Sequence, residues 1–198
     1  MEDKRILKTK KNLKSALIAL LGEFPFEKIS VTELCRKAKC TRVTFYTYYE
    51  DKYALAEELF IGYIREADDT YHRLQEENNP ENDALKGYVN LLESILCLYF
   101  DNSAYFIHAT QQRNPYLFSS FYSLVFESVD DYIDRHRGLV PKYPSRQTAS
   151  VLCSSMFGLI NTCVPENLPE PEVRAMARDI YLKLLRSGLF TLPGSAPL

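Results

Sequence analysis

Apolar residues recur at helical spacing along nearly the whole chain, and Gly, Pro, Asn or Ser marks the breaks between runs. The first run, residues 4–21, sets Ile6, Leu13, Leu17, Leu20 and Leu21 on one face. The other face carries Lys4, Arg5, Lys8, Lys10, Lys11 and Lys14. Gly22 is placed to stop that helix. In Phe24-Pro25-Phe26 the proline drives Phe24 out of the helical region, and both rings are expected to anchor the loop. Ser30-Val31-Thr32-Glu33 is a capping box that opens a short helix over 31–38, with Val31, Leu34, Cys35 and Ala38 apolar. Lys39-Cys40-Thr41 reads as a tight turn, with Thr41 capping a second short helix over 42–49. Asp51 caps a long helix over 52–77 with a stripe of Leu55, Leu59, Ile61 and Ile64. Further helices are predicted over 83–100, 104–113, 115–137, 145–164 and 170–190, and the tail 192–198 is expected to be loose. No repeat or β-hairpin signal is present. The pattern predicts an all-α fold of about nine helices: an N-terminal three-helix head with a helix-turn-helix, then a C-terminal helical bundle.

The two short helices carry the chemistry. Neither is long enough to persist alone, so each must be held by packing. Phe45 and Tyr49, at i and i+4, are expected to face the core. The remaining surface of the second helix offers Thr41, Arg42, Thr44, Tyr46, Thr47 and Tyr48. An arginine can fork onto guanine, threonine can meet a phosphate or a thymine methyl, and tyrosine hydroxyls can meet phosphates.

Composition sharpens this picture. The net charge of −2 hides an asymmetry: residues 1–52 hold twelve Lys and Arg against seven Asp and Glu, and residues 53–198 hold twelve against nineteen. A basic head on an acidic body suggests that the head alone meets a polyanion. The five cysteines, Cys35, Cys40, Cys97, Cys153 and Cys163, form no disulfide framework and no zinc-ligand spacing, so reduced thiols in a cytoplasmic protein are expected. No apolar run reaches the length of a membrane span.

The run Ile29 to Leu55, ISVTELCRKAKCTRVTFYTYYEDKYAL, resembles the DNA-binding signature of TetR-type regulators. The matching residues are Ser30 at the N-cap, Leu34 and Ala38 as packing positions, Thr41, Thr44, Tyr46 and Tyr49 in the second helix, and Lys52 and Leu55 at the start of the next. The resemblance covers under a sixth of the chain. It implies a homodimer that lays its third helix in the major groove of a palindromic operator. Double-stranded DNA would then be met by Ser30, Thr32, Lys39, Thr41, Arg42, Val43, Thr44, Tyr46, Thr47, Tyr48 and Lys52. Of these, Ser30, Tyr46, Tyr48 and Lys52 would hold phosphates, and Arg42, Val43 and Thr44 would stand nearest the base edges. The division would be a DNA-binding domain over 1–52 and an effector-binding and dimerisation domain over 53–198. Three positions depart from the usual pattern. Lys39 and Val43 stand where glycine is usual, and Cys35 where alanine is. If position 39 needs a positive φ, lysine there costs about 1–2 kcal/mol. A β-branched Val43 projects toward DNA, so no operator sequence transfers.

The body is rich in rings, and Tyr88, Tyr99, Tyr105, His108, Gln112, Phe118 and Tyr122 are candidates to line a small-molecule cavity. The same aromatics would equally build an ordinary core. Val151, Leu152, Met156, Leu159 and Ile160, with Ile180, Leu184, Leu185 and Leu189, suit a four-helix interface between two copies through the last two helices. Enzyme motifs are missing: no Gly-rich phosphate loop, no His-Glu-x-x-His and no Gly-x-Ser-x-Gly occurs, and no cofactor is implied. Three readings stand. The first is a repressor released by a small molecule. The second is a regulator of the same fold, even an activator, controlled by a protein partner or by no ligand. The third is a helical scaffold or enzyme with a basic head.

Overall fold

A computed structural model describes residues 4–136, 138–163, 166 and 168–191. Among these, nine α-helices follow in order: α1 (Lys4–Glu23), α2 (Val31–Ala38), α3 (Arg42–Tyr48), α4 (Lys52–Asn78), α5 (Ala84–Asp101), α6 (Ser103–Phe106), α7 (Pro115–Arg135), α8 (Ser145–Cys163) and α9 (Glu170–Arg186). A 3-10 turn, Phe26–Lys28, separates α1 from α2. The predicted all-α architecture is observed, with one addition. Two-residue strands β1 (Val140–Pro141) and β2 (Phe190–Thr191) pair antiparallel, Val140 opposite Thr191. The predicted tail at 192–198, and the ends assigned to Arg137 and Val164, lie outside the described residues.

The chain folds into two compact units. One is Met1–Tyr63 with Asn102–Phe121, the other Ile64–Asp101 with Tyr122–Leu198. In the first unit α1 packs on α2, and α2 on α3. Leu13, Leu17, Leu21, Leu34, Phe45 and Leu55 are wholly buried there. At ~25 cal/mol per Å², each such side chain contributes about 1.5–3 kcal/mol, which is what fixes helices too short to stand alone. In the second unit α9 packs on α5 and α8, around Tyr88, Leu92, Leu152, Val173 and Tyr181.

Several expectations are corrected. The helix expected over 104–113 shrinks to the four residues of α6. Beyond it, Asn114 holds the chain in another path: its side chain accepts from the Phe26 amide at 2.6 Å and donates to the His108 carbonyl at 2.8 Å. Helix α1 does not stop at Gly22 but runs to Glu23, and Arg113 satisfies the Leu21 and Gly22 carbonyls at 3.0 and 3.1 Å. Helix α9 ends four residues before Phe190, followed by Gly188 at φ 82°, a left-handed turn that glycine takes without strain. Phe26 anchors its loop, whereas Phe24 is exposed. On α4 the buried stripe is Leu55, Ala56, Leu59, Phe60 and Tyr63, while Ile61 faces outward.

Candidate nucleic-acid interface

The capping box forms as the sequence dictates. The Glu33 amide donates to Ser30 Oγ at 3.2 Å, and the Ser30 amide donates to Glu33 Oε2 at 2.8 Å. The Ser30 hydroxyl itself donates to the same carboxylate at 2.7 Å, and these Ser30 bonds hold the Glu33 carboxyl below its ordinary range. Helix α2 then closes on Lys39 at φ 56°, ψ 45°, so position 39 does adopt the left-handed conformation. Thr41 caps α3: its Oγ1 accepts from the Thr44 amide at 3.1 Å and bonds the Thr44 hydroxyl at 2.9 Å.

Helix α3 splits cleanly into two faces. Phe45 and Tyr49 are buried, their ring centroids 5.6 Å apart, and they key the helix into the core. The opposite edge is open. Val43 is 79% exposed and Tyr46 50%, with Arg42 and Thr47 exposed beside them. The Arg42 guanidinium lies 5.9 Å from the Tyr46 ring centre, which orders both side chains one turn apart. The Thr47 hydroxyl donates back to the Val43 carbonyl, leaving its methyl and its lone pairs outward. Thr44 and Tyr48 are half-buried in a concave strip that also includes Arg5, Ile6, Thr9, Lys39, Cys40, Thr41, Val43 and Thr47. Thr32 and Lys39 are exposed on the rim of α2. Of the α1 residues in this strip, Arg5 belongs to the basic stripe expected to meet the DNA backbone, whereas Ile6 and Thr9 were not singled out from the sequence as groove partners. Their helical spacing was visible, but nothing local indicates that α1 runs beside α3.

Lys52 is placed differently from the expectation of a phosphate ligand. Its ammonium donates to the carbonyls of Phe26 at 2.9 Å, Glu27 at 2.9 Å and Ile29 at 3.1 Å, and sits 4.8 Å from the Phe26 ring centre. All three ammonium donors are thus turned inward onto the loop before α2, where the Phe26 carbonyl also accepts from the Ile29 amide and offers its second lone pair to the ammonium. Burial lowers the Lys52 pKa, against the opposing pull of Glu27 and Asp51. The basic stripe of α1 is likewise divided. Lys10 and Lys14 pair with Glu58 of α4 at 3.2 and 2.9 Å, while Lys4, Arg5, Lys8 and Lys11 remain on the exposed side.

Of the seven candidate ligand residues, Tyr105, His108, Gln112 and Phe118 belong to the first unit, and Tyr88, Tyr99 and Tyr122 to the second. Tyr88 and Tyr105 are wholly buried core rings, and burial raises both phenols. His108 is pulled below the ordinary imidazole value by burial, with Arg113 adding to the effect. The second unit instead holds a cavity of about 210 Å³, mostly apolar, walled by Ile64, Ala67, Leu91, Ile95, Leu98, Val125 and Val129. Its polar groups come from Arg65, Asp68, Tyr71, Ser94, Ser128 and Tyr132, with Tyr71 donating to the Tyr132 hydroxyl at 3.2 Å. None of the seven predicted residues lines it. Cavity walls come from helices far apart in sequence, and ring content alone does not say which rings close a core and which border a void.

The helical fold that carries this pair of short helices is shared with solved regulators. A putative TetR-family transcriptional regulator from Syntrophomonas wolfei superposes with a TM-score of 0.75 at 13% identity, covering 90% of this chain and 95% of that one. The chain has the TetR-family regulator fold. Thermus thermophilus FadR, a TetR-family repressor solved with lauroyl-CoA, superposes with a TM-score of 0.57 at 16% identity, over 96% and 99% of the two chains. In sequence, an uncharacterised helix-turn-helix regulator of Bacillus subtilis, YxbF, is 40% identical over 47 residues. That match spans 24% of this chain and 12% of YxbF. No family model matches the chain. Among the described residues no helix of the TetR-like fold is long and apolar enough to cross a membrane.

Proposed function

We propose that this protein is a DNA-binding transcriptional regulator, a homodimeric repressor that a small-molecule effector releases from its operator. The observation that carries this reading is the two-faced α3: Phe45 and Tyr49 lock it from within, and Arg42, Val43, Tyr46 and Thr47 stand clear for a major groove. Residues 1–52 would bind DNA, and residues 53–198 would dimerise and take the effector. In the DNA-bound state Arg42 and Val43 face base edges, Thr44 and Thr47 lie beside them, and Ser30, Thr32, Lys39, Thr41, Tyr46 and Tyr48 meet phosphates. Ser30 would exchange its bond to Glu33 for one to phosphate. Lys52 acts at one remove, by fixing the loop that leads into Ser30.

Dimerisation through α8 and α9 is supported by apolar side chains left in the open there: Val151 at 46%, Met176 at 41% and Ile180 at 37% exposure. An isologous pair of such faces matches a palindromic site. The effector reading is supported by the second-unit cavity. At about 210 Å³ it exceeds the ~150 Å³ void that admits benzene and falls short of the ~300 Å³ at which drug-sized pockets begin. A compact, largely apolar molecule suits it, with a polar group for the Tyr71–Tyr132 hydroxyl pair. Effector and DNA would favour different separations of the two heads, so that one shifts a population the other holds.

The test is a titration of the full chain against its own upstream DNA at several salt concentrations. Affinity should fall steeply with salt and concentrate on one palindrome. Arg42→Ala should weaken that specific complex by about 1–3 kcal/mol while leaving non-specific binding near its former level. Salt-insensitive binding, or an Arg42→Ala variant that binds the palindrome as well as the parent, refutes the assignment. Adding small aromatic and aliphatic probes to the preformed complex tests release.

A further inference from the structure

The turn between α2 and α3 has a feature that DNA reading does not use. The Cys40 amide donates to the Cys35 carbonyl at 3.0 Å, and the Lys39 amide to the Arg36 carbonyl at 3.4 Å. With Lys39 left-handed, this is the bond pair of a Schellman closure. The closure brings the side chains of its first and last positions together, ordinarily as an apolar contact. Here both are cysteines, each a free thiol, and their side chains interact directly. Their exposure differs: Cys35 is buried, and Cys40 is partly open in the concave strip beside α3. Elsewhere Cys97 faces the Arg174 guanidinium, and Cys153 and Cys163 are buried.

We propose that Cys35 and Cys40 form a reactive dithiol that hydrogen peroxide or an organic hydroperoxide oxidises to an intramolecular disulfide, and that this modification releases the protein from DNA. The modification stands on the turn geometry alone; its consequence rests on the DNA-binding reading above. Cys40, the accessible thiol, attacks as thiolate. Its sulfur takes the distal peroxide oxygen, the O–O bond breaks, and hydroxide or alkoxide leaves, giving a sulfenic acid. The Cys35 sulfur then attacks the Cys40 sulfur. The S–O bond breaks, the S–S bond forms, and water departs with the Cys35 proton. Two electrons pass from the thiols to the peroxide. Burial, reinforced by the neighbouring Cys40, pushes the Cys35 thiol up to about 11, so it stays protonated and leaves the first step to its partner.

The bond draws the two sulfurs to about 2.0 Å, well inside non-bonded contact. That contraction falls on the residue next to Thr41, the cap of α3, and two residues from Arg42. The N-terminal end of α3, into which this turn leads directly, therefore shifts with it. An alanine–valine pair at the same two positions would pack equally well and could not do this, so packing alone does not demand sulfur here.

The experiment treats reduced full-length protein with hydrogen peroxide and splits the sample. One part is digested with trypsin, which cuts after Arg36, Lys37 and Lys39, between the two cysteines. A Cys35–Cys40 disulfide then appears as two joined peptides that separate on reduction. The other part is titrated with the upstream duplex. The parent should yield the joined peptides and lose DNA affinity by about tenfold or more, regained with dithiothreitol. Cys35→Ala and Cys40→Ser should yield no joined peptides, and after peroxide each should keep the DNA affinity it shows when reduced; Cys35→Ala, altered only at a buried position, should also match the reduced parent. Unlinked cysteines, a sulfinic acid at Cys40 alone, a link between subunits, or a link that leaves affinity unchanged would each overturn the proposal. If the reduced parent fails to bind DNA at all, the regulator reading fails instead, and the peptide map still decides the dithiol.

Discussion

Replacing Lys39 with glycine should stabilise the protein while weakening its hold on DNA. Lys39 sits at φ 56°, ψ 45°, where a Cβ crowds the following carbonyl at a cost of about 1–2 kcal/mol. Glycine removes that cost but loses about 0.5–1 kcal/mol more backbone entropy on folding. The difference leaves a gain of about 0.5–1 kcal/mol. For a chain of this length that corresponds to a rise in Tm of roughly 1–4 °C, read by circular dichroism. Lys39→Ala is the control: it removes the same charge and keeps the Cβ, so it should show little gain. On DNA both variants should behave alike, losing affinity uniformly across sequences and flattening the salt dependence by about one phosphate contact. If Lys39→Gly is no more stable than Lys39→Ala, the strain assigned to this turn is wrong. If the two differ on DNA, the charge is not what Lys39 contributes there.

Other expectations follow from the same contacts. For Glu58, burial raises the carboxyl pKa, but Lys14 and Lys10 together outweigh it and hold the group below its ordinary value. A depressed carboxylate stabilises the fold above its unfolded pKa of about 4.3 and loses that contribution as pH falls through the folded value. Glu58→Gln should therefore lower the urea midpoint at neutral pH and show a smaller acid loss than the parent below about pH 4. Asn114→Ala strands the buried Phe26 amide and the His108 carbonyl, and should cost about 1–3 kcal/mol per group in denaturant melts. Ile180→Asp places a charge on the open face of α9 without entering the core, so sedimentation should move from dimer to monomer at unchanged helical content.

The recognition motif was legible because its determinants are local. Ser30 with Glu33, Thr41 with Thr44, and Phe45 with Tyr49 lie within one turn of each other, so helix periodicity and capping chemistry fix them from sequence alone. The strain at Lys39 was conditional on a turn type that the same local pattern implied. What sequence could not decide was every pairing made over distance. Lys52 reaching back to Phe26, Glu27 and Ile29, Arg113 capping α1, and Asn114 diverting 107–114 from a helix all join residues 23 to 92 positions apart. A side chain's local pattern states what it can donate or bury, but only packing states which carbonyl is left unpaired nearby. The cavity follows the same rule: a ring seen in sequence is apolar surface, and whether it fills a core or borders a void depends on which helices converge around it.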